Sequence, residues 1–258
     1  MNVTVQLSEV TLGKGDYSAG GACSEPFLEQ DGARRRRPMV LGEVSADPER
    51  CCPLTAEMFS GRAADPLEWA AMWRDIGADG IYVRADGVPP SDVAKLVTEM
   101  SDRTRLPIAM DGSDECLGLC AESVSDSTLI LIGDGQSYDL GAHAVAVPID
   151  SLEDYGGAAP GRANRMFLIR GTFTDADRSS LAEEIRRRAL MGSEDFDAPI
   201  VFDVTPSWDA GFADARVASM VEAESCLVAM LSGADVLIVR GPGAADMARV
   251  YGEELADL

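Results

Sequence analysis

Carboxylates and guanidiniums recur in this chain at the ends of short apolar runs. Glu43 follows MVLG, Asp86 follows GIYVRA, Asp111 follows PIAM, Asp134 follows TLILIG and Asp150 follows HAVAVPI. Asp203 lies within PIVFDV, while Arg170 and Arg240 close RMFLIR and DVLIVR. A carboxylate at such a place can accept from the N–H groups of a pterin-like ring or act as an acid–base group. An arginine fork can grip a carboxylate or a phosphate. Strand ends must meet water in any case, so a single polar residue there means little. The set as a ring describes a binding mouth without naming a reaction.

Little other chemistry competes with it. The chain has no P-loop, no H-E-x-x-H, no G-x-S-x-G and no lysine on a strand to form a Schiff base. Its one histidine, His143, stands in an apolar strand and reads as a satisfied core residue. The six cysteines (23, 51, 52, 116, 120, 226) form neither paired Cys-x-x-Cys units nor an iron–sulfur run. Cys116 and Cys120 are helical neighbours that would share one buried face, and Cys51-Cys52 fall in a loop. The Gly241-Pro242-Gly243 turn follows the last strand, where many barrels bind phosphate.

The elements that position the ring follow from hydrophobic patterning. Eight strands are expected at 39–44, 80–85, 107–110, 128–132, 143–149, 165–170, 199–204 and 235–240. Most are continuous Val/Ile/Leu runs, as strands covered by helices require. Between them, Asp65-Pro66-Leu67-Glu68 combines an N-cap, a proline at the first helical position and a carboxylate three residues in. Trp69, Met72, Trp73 and Ile76 then form one helical face, stopped by Gly77. Val93, Leu96, Val97 and Met100 form another. Val217, Met220, Val221, Leu227, Val228 and Leu231 form a third, before Gly233. GADGIYVRADG (77–87) and GADVLIVRGPG (233–243) echo one another as helix stop, strand and terminal arginine. A doubly wound sheet would place a glycine-rich turn after its first strand; here a loop of about twenty residues, 45–64, follows instead.

The fold expected is therefore a single (β/α)8 TIM barrel over residues 38–258, preceded by an N-terminal extension, 1–37. The stretches 3–7 and 9–12 would form a β-hairpin against the barrel or a partner. Arg34 to Arg37 read as a solvated basic turn. Residues 133–142 and 151–164 leave room for one turn of helix at most, a thin side that would suit another subunit.

Composition narrows the setting. With 22 basic and 44 acidic residues the net charge is −22, which repels phosphate backbones and argues against nucleic acid. No apolar run is long enough to span a bilayer. The start, Met1 to Val5, lacks the basic and apolar regions of a signal peptide, so a cytoplasmic location is expected.

In order along the chain, EVTLG (9–13), the strand ending Gly42-Glu43-Val44, DPLEWA (65–70), GADGIYVRAD (77–86), LILIGD (129–134), PIVFDVTPSW (199–208) and GADVLIVRGP (233–242) resemble one family. It is the delta subunit of the acetyl-CoA decarbonylase/synthase complex, the barrel subunit of the corrinoid iron–sulfur protein. The resemblance implies a barrel that pairs with a corrinoid- and iron–sulfur-carrying barrel subunit and takes part in methyl transfer from a tetrahydropterin. The corrinoid would be contacted through that partner, with Glu43, Asp86, Asp111, Asp134 and Trp208 facing it. Asp203 and Arg240 complete the expected ligand-facing set. This chain is shorter than the family around strands four to six. It also reads RGTFTDADRSS (170–180) where the family carries a glycine-rich, aspartate–proline segment. A stand-alone tetrahydropterin-dependent methyltransferase is the alternative, and a phosphate-binding metabolic enzyme is a third.

Overall fold

The computed structural model describes residues 7–13, 17–21, 36–124, 128–134, 139, 141–153 and 164–257. Eight parallel strands close into a barrel: β3 (Met39–Ser45), β4 (Gly80–Arg84), β5 (Ile108–Asp111), β6 (Leu129–Ile132), β7 (Ala144–Pro148), β8 (Arg165–Arg170), β9 (Ile200–Asp203) and β10 (Val236–Val239). They run in sequence order around the barrel, with β10 beside β3. The α-helices are α1 (Pro53–Met58), α2 (Pro66–Ile76), α3 (Pro90–Thr104), α4 (Asp114–Ser123), α5 (Ala176–Leu190), α6 (Ala215–Leu231) and α7 (Pro242–Ala256). This is the expected (β/α)8 barrel.

Two apolar layers hold it. One lies between strands and helices, the other inside the barrel, where Leu41, Tyr82, Ala109, Leu168, Val201 and Ile238 are buried. Side chains alternate along a strand, so the residue two positions on from each of these points into the same space. Those residues are Glu43, Arg84, Asp111, Arg170, Asp203 and Arg240. The period of two thus lines the upper interior with charge.

The floor is closed by the N-terminal hairpin, β1 (Glu9–Leu12) and β2 (Tyr17–Gly20). Val10, Leu12 and Ala19 join the interior cluster. Ser8 donates to both oxygens of Asp197, at 2.7 and 2.8 Å, just before β9. The pairing differs from expectation: 9–12 pairs with 17–20, and residues 3–6 lie outside the described set. The basic turn is also corrected for its described half. Arg36 binds Glu9 at 2.7 Å, and Arg37 clamps Asp79 at 2.5 and 2.8 Å.

The two echoed segments adopt one geometry. Gly77 and Gly233 take positive φ (90° and 98°) at helix ends, where glycine is free of Cβ strain. Asp79 accepts from the Val40 backbone N–H at 2.9 Å, and Asp235 from that of Ile200 at 2.7 Å, so each carboxylate pins a neighbouring strand. Strand β4 then ends on Arg84, and Arg240 directly follows β10.

Two expectations change. The stretch 45–64 is not a plain loop, since it carries α1 and tucks Phe59 between Trp69 and Trp73, at 5.4 and 5.2 Å between ring centroids. Helix α6 buries Ala218, Glu222, Ala223, Cys226, Ala229 and Met230, whereas Val217, Met220 and Leu231 of the expected stripe are exposed. Small residues let that face approach the barrel closely, and the bulky ones turn outward. On the thin side, no helix lies between β6 and β8 among the described residues, and Leu131 and Val145 of those strands are buried.

Candidate functional site at the barrel mouth

Strand β3 lies between β10 and β4, so Glu43 receives an arginine from each side. Arg240 holds Glu43 with Nε on Oε2 and with Nη2 on Oε1 at 3.1 Å. Arg84 reaches Oε1 at 3.5 Å and Asp86 at 3.1 Å. Burial opposes the charge on Arg240, but Glu43, Glu222 and Asp209 outweigh it and raise its pKa. Below Glu43 the backbone is fixed by Trp73, whose ring covers Gly42 and whose Nε1 donates to the Glu43 carbonyl at 2.9 Å. A Cβ on Gly42 would lie 2.0 Å from that ring, so only glycine fits.

Across the mouth Arg170 bridges two carboxylates, Asp111 at 2.5 Å and Asp203 at 3.2 Å. Asp203 is buried and also accepts from the backbone N–H and the hydroxyl of Thr205, at 3.0 and 2.7 Å. Burial raises its pKa, against the Thr205 hydroxyl. Tyr82 projects between the two sets, with its hydroxyl 3.5 Å from Asp111. Burial, then the Asp203 and Asp111 charges, push the phenol well above its ordinary range, so it stays protonated.

A cavity of about 330 Å³ opens beside Glu43, with Arg84, Arg240, Asp209, Cys51 and Cys52 in its wall. Burial, then the Glu43 charge, lift the Cys51 thiol to about 11, so it is not a thiolate at neutral pH.

The expected ring separates into parts. Glu43, Asp111, Arg170, Asp203 and Arg240 converge. Asp86 is exposed at the rim on Arg84, Asp134 is exposed beyond β6, and Asp150 pairs with Arg178 at 2.9 Å. Trp208 is 4% exposed, in a 3-10 turn, Thr205–Ala210, with its ring against Gly241. His143 is the satisfied core residue expected: Nε2 donates to the Val124 carbonyl at 2.9 Å and Nδ1 accepts from the Leu129 N–H at 3.4 Å. Cys116 and Cys120 are buried on one face of α4.

Three contributors were not anticipated: Arg84, Tyr82 and Glu222. The echo with Arg240 carried a signal for Arg84. Glu222 is fully buried on α6; Oε1 accepts from the Arg240 backbone N–H at 2.6 Å and Oε2 from that of Gly241 at 2.8 Å. Burial pushes its pKa up to about 8, opposed by those N–H donors and by the Trp208 indole lying near the carboxyl. Among the described residues no group of three or more His, Cys, Asp or Glu is placed to hold a metal ion, and no helix is long and apolar enough to cross a membrane.

No protein-family model matches the chain, and no curated protein matches it in sequence. Solved structures do. The 7,8-dihydropteroate synthase of Vibrio fischeri ES114 superposes with a TM-score of 0.64 at 12% identity, over 97% of this chain and 99% of that one. The Yersinia pestis dihydropteroate synthase gives 0.62 at 12%, over 99% and 100%. The Xanthomonas albilineans enzyme, in complex with 7,8-dihydropteroate, gives 0.59 at 15%, over 92% and 98%. At such identities the likeness establishes the fold alone. The barrel implied by the resemblance to the delta subunit is thereby supported, and membership of that family is not. What this chain shares with these dihydropteroate synthases is the barrel.

Proposed function

We propose that this chain is a tetrahydropterin-binding barrel that handles the methyl group such a ring carries. The observation behind the reading is the pair of carboxylate–guanidinium sets at the mouth, Glu43 with Arg84 and Arg240 in the wall of a cavity of about 330 Å³, and Asp111 with Arg170 and Asp203 across from it. A pterin edge presents adjacent N–H donors and a carbonyl acceptor. A carboxylate flanked by a guanidinium is complementary to both. Transfer of that methyl group to an acceptor nucleophile breaks the N–CH3 bond, and the ring nitrogen takes up a proton in exchange. The fold likeness to dihydropteroate synthases supports the same class of ligand.

Titration of the protein with a methyltetrahydropterin tests this directly. Saturable binding is expected, weakened at least about tenfold in Asp203→Asn, as loss of one charged hydrogen-bond partner would do. No binding at millimolar ligand defeats the proposal.

A second reading keeps the same mouth as a cap over the corrinoid of a corrinoid/iron–sulfur-carrying partner subunit. The feature favouring it is the exposed acidic rim, Asp86 and Asp209, whose side chains are 61% and 75% exposed. Co-sedimentation with a corrinoid protein separates the two readings.

A further inference from the structure

The loop after the eighth barrel strand, with the helix that follows, is the usual phosphate position of this fold, because backbone N–H groups point there at a ligand. In this chain the loop is Arg240-Gly241 and the helix is α7, which begins at Pro242. The two N–H groups of that loop are already taken. Glu222 enters from α6, fully buried, and accepts from Arg240 N at 2.6 Å and Gly241 N at 2.8 Å, one on each carboxyl oxygen. The space is filled as well: a Cβ on Gly241 would lie 2.9 Å from both Glu222 Oε2 and the Trp208 ring, and 3.1 Å from Ser219 Oγ. On Gly243 it would meet Ser219 Oγ at 3.0 Å. The glycines of the Gly-Pro-Gly turn therefore accommodate a side chain of the protein itself.

We infer that Glu222 is a built-in ligand in the anion position of the eighth loop, and that it restricts the mouth to ligands carrying no phosphate at that place. Two consequences follow. Arg240 is held by Glu222 through its backbone while its side chain grips Glu43, so the loop is set before any ligand arrives. The phosphate-binding metabolic enzyme considered from the Gly241-Pro242-Gly243 turn also loses its binding position. The inference is independent of whether the ligand is a pterin, and its test uses none.

The probe is inorganic phosphate, read as the unfolding temperature of the full chain in phosphate against chloride at equal ionic strength. Wild type is expected to show only the general stabilisation that phosphate gives a folded chain. Glu222→Ala, which uncovers two N–H donors and a carboxyl-sized space, is expected to gain about 3 °C or more beyond wild type in phosphate. Equal gains in both proteins, or none in a folded Glu222→Ala, would overturn the inference. Should the variant fail to fold in chloride, refolding yield is compared instead. Recovery in phosphate supports the built-in ligand, and equal failure in both salts overturns it.

Discussion

The floor and the mouth of this barrel use the same residue types to opposite ends. At the floor Arg186 meets Asp235 at 2.7 Å with side chains 2% and 0% exposed, and Arg37 clamps Asp79. Each of those aspartates also takes a backbone N–H from the adjacent strand, so the ion pair is part of the strand ladder. At the mouth, Glu43 is shared by two arginines beside open volume, and Arg170 is shared by two carboxylates. A floor pair is locked by its burial. A mouth pair can give up one partner to a ligand and keep the other, because sharing leaves each charge with something to hold. Charge alone does not mark a site; charge with a spare partner and a cavity does.

The comparison can be broken at its strongest point first. Asp235→Ala strands Arg186 in a dry interior and frees the Ile200 N–H, so a loss of about 3–5 kcal/mol is expected in denaturant unfolding. Glu43→Gln is expected to cost less stability, about 1–2 kcal/mol, because the amide oxygen still accepts from buried Arg240 and half-exposed Arg84 can turn to water. Its larger effect should fall on ligand titration. Equal stability losses at the two places would erase the distinction between floor and mouth.

Gly42→Ala tests what supports the mouth from behind. The added methyl meets the Trp73 ring, and overpacking of about 1–3 kcal/mol is expected, read as a lowered unfolding temperature. The last effect is a slope. Glu222 titrates near 4.5 when unfolded and near 8 when folded, so between those values the folded state holds a proton that the unfolded chain lacks. Its contribution is complete below 4.5 and lost as pH rises through 8, at up to about 1.4 kcal/mol per pH unit. Glu222→Gln should flatten this part of the stability profile. Parallel profiles for the two proteins would assign the slope to another group.

Much of this was legible in the sequence, for reasons specific to particular residues. Continuous apolar runs located the eight strands because both faces are covered, and the polar residue ending each run falls at the mouth because the chain surfaces there. The echo between 77–87 and 233–243 corresponds to a shared αβ junction, with Asp79 and Asp235 in equivalent roles. Glu222 was hidden because periodicity weighs bulk: Met220 and Val217 outvoted a face made of Ala218, Ala223 and Ser225. That smaller face packs inward because it is small. The hairpin was misregistered because 17–20 (YSAG) carries no strand signal of its own; its pairing is decided by the floor it seals. Tyr82 sits inside an apolar strand and gives no sign that its hydroxyl will stand between two carboxylates.

The hairpin's seat has a consequence for the order in which the molecule assembles. Val10, Leu12 and Ala19 dock among Met39, Met166, Val201 and Val236, and Ser8 is tied to Asp197. Those partners lie as far as some 200 residues downstream, so the hairpin is synthesised well before its socket exists. It is made early and seated late. Its apolar side is covered only where strands from both ends of the chain meet, so its seating rests on contacts of long sequence separation, the kind whose loop-closure entropy slows folding.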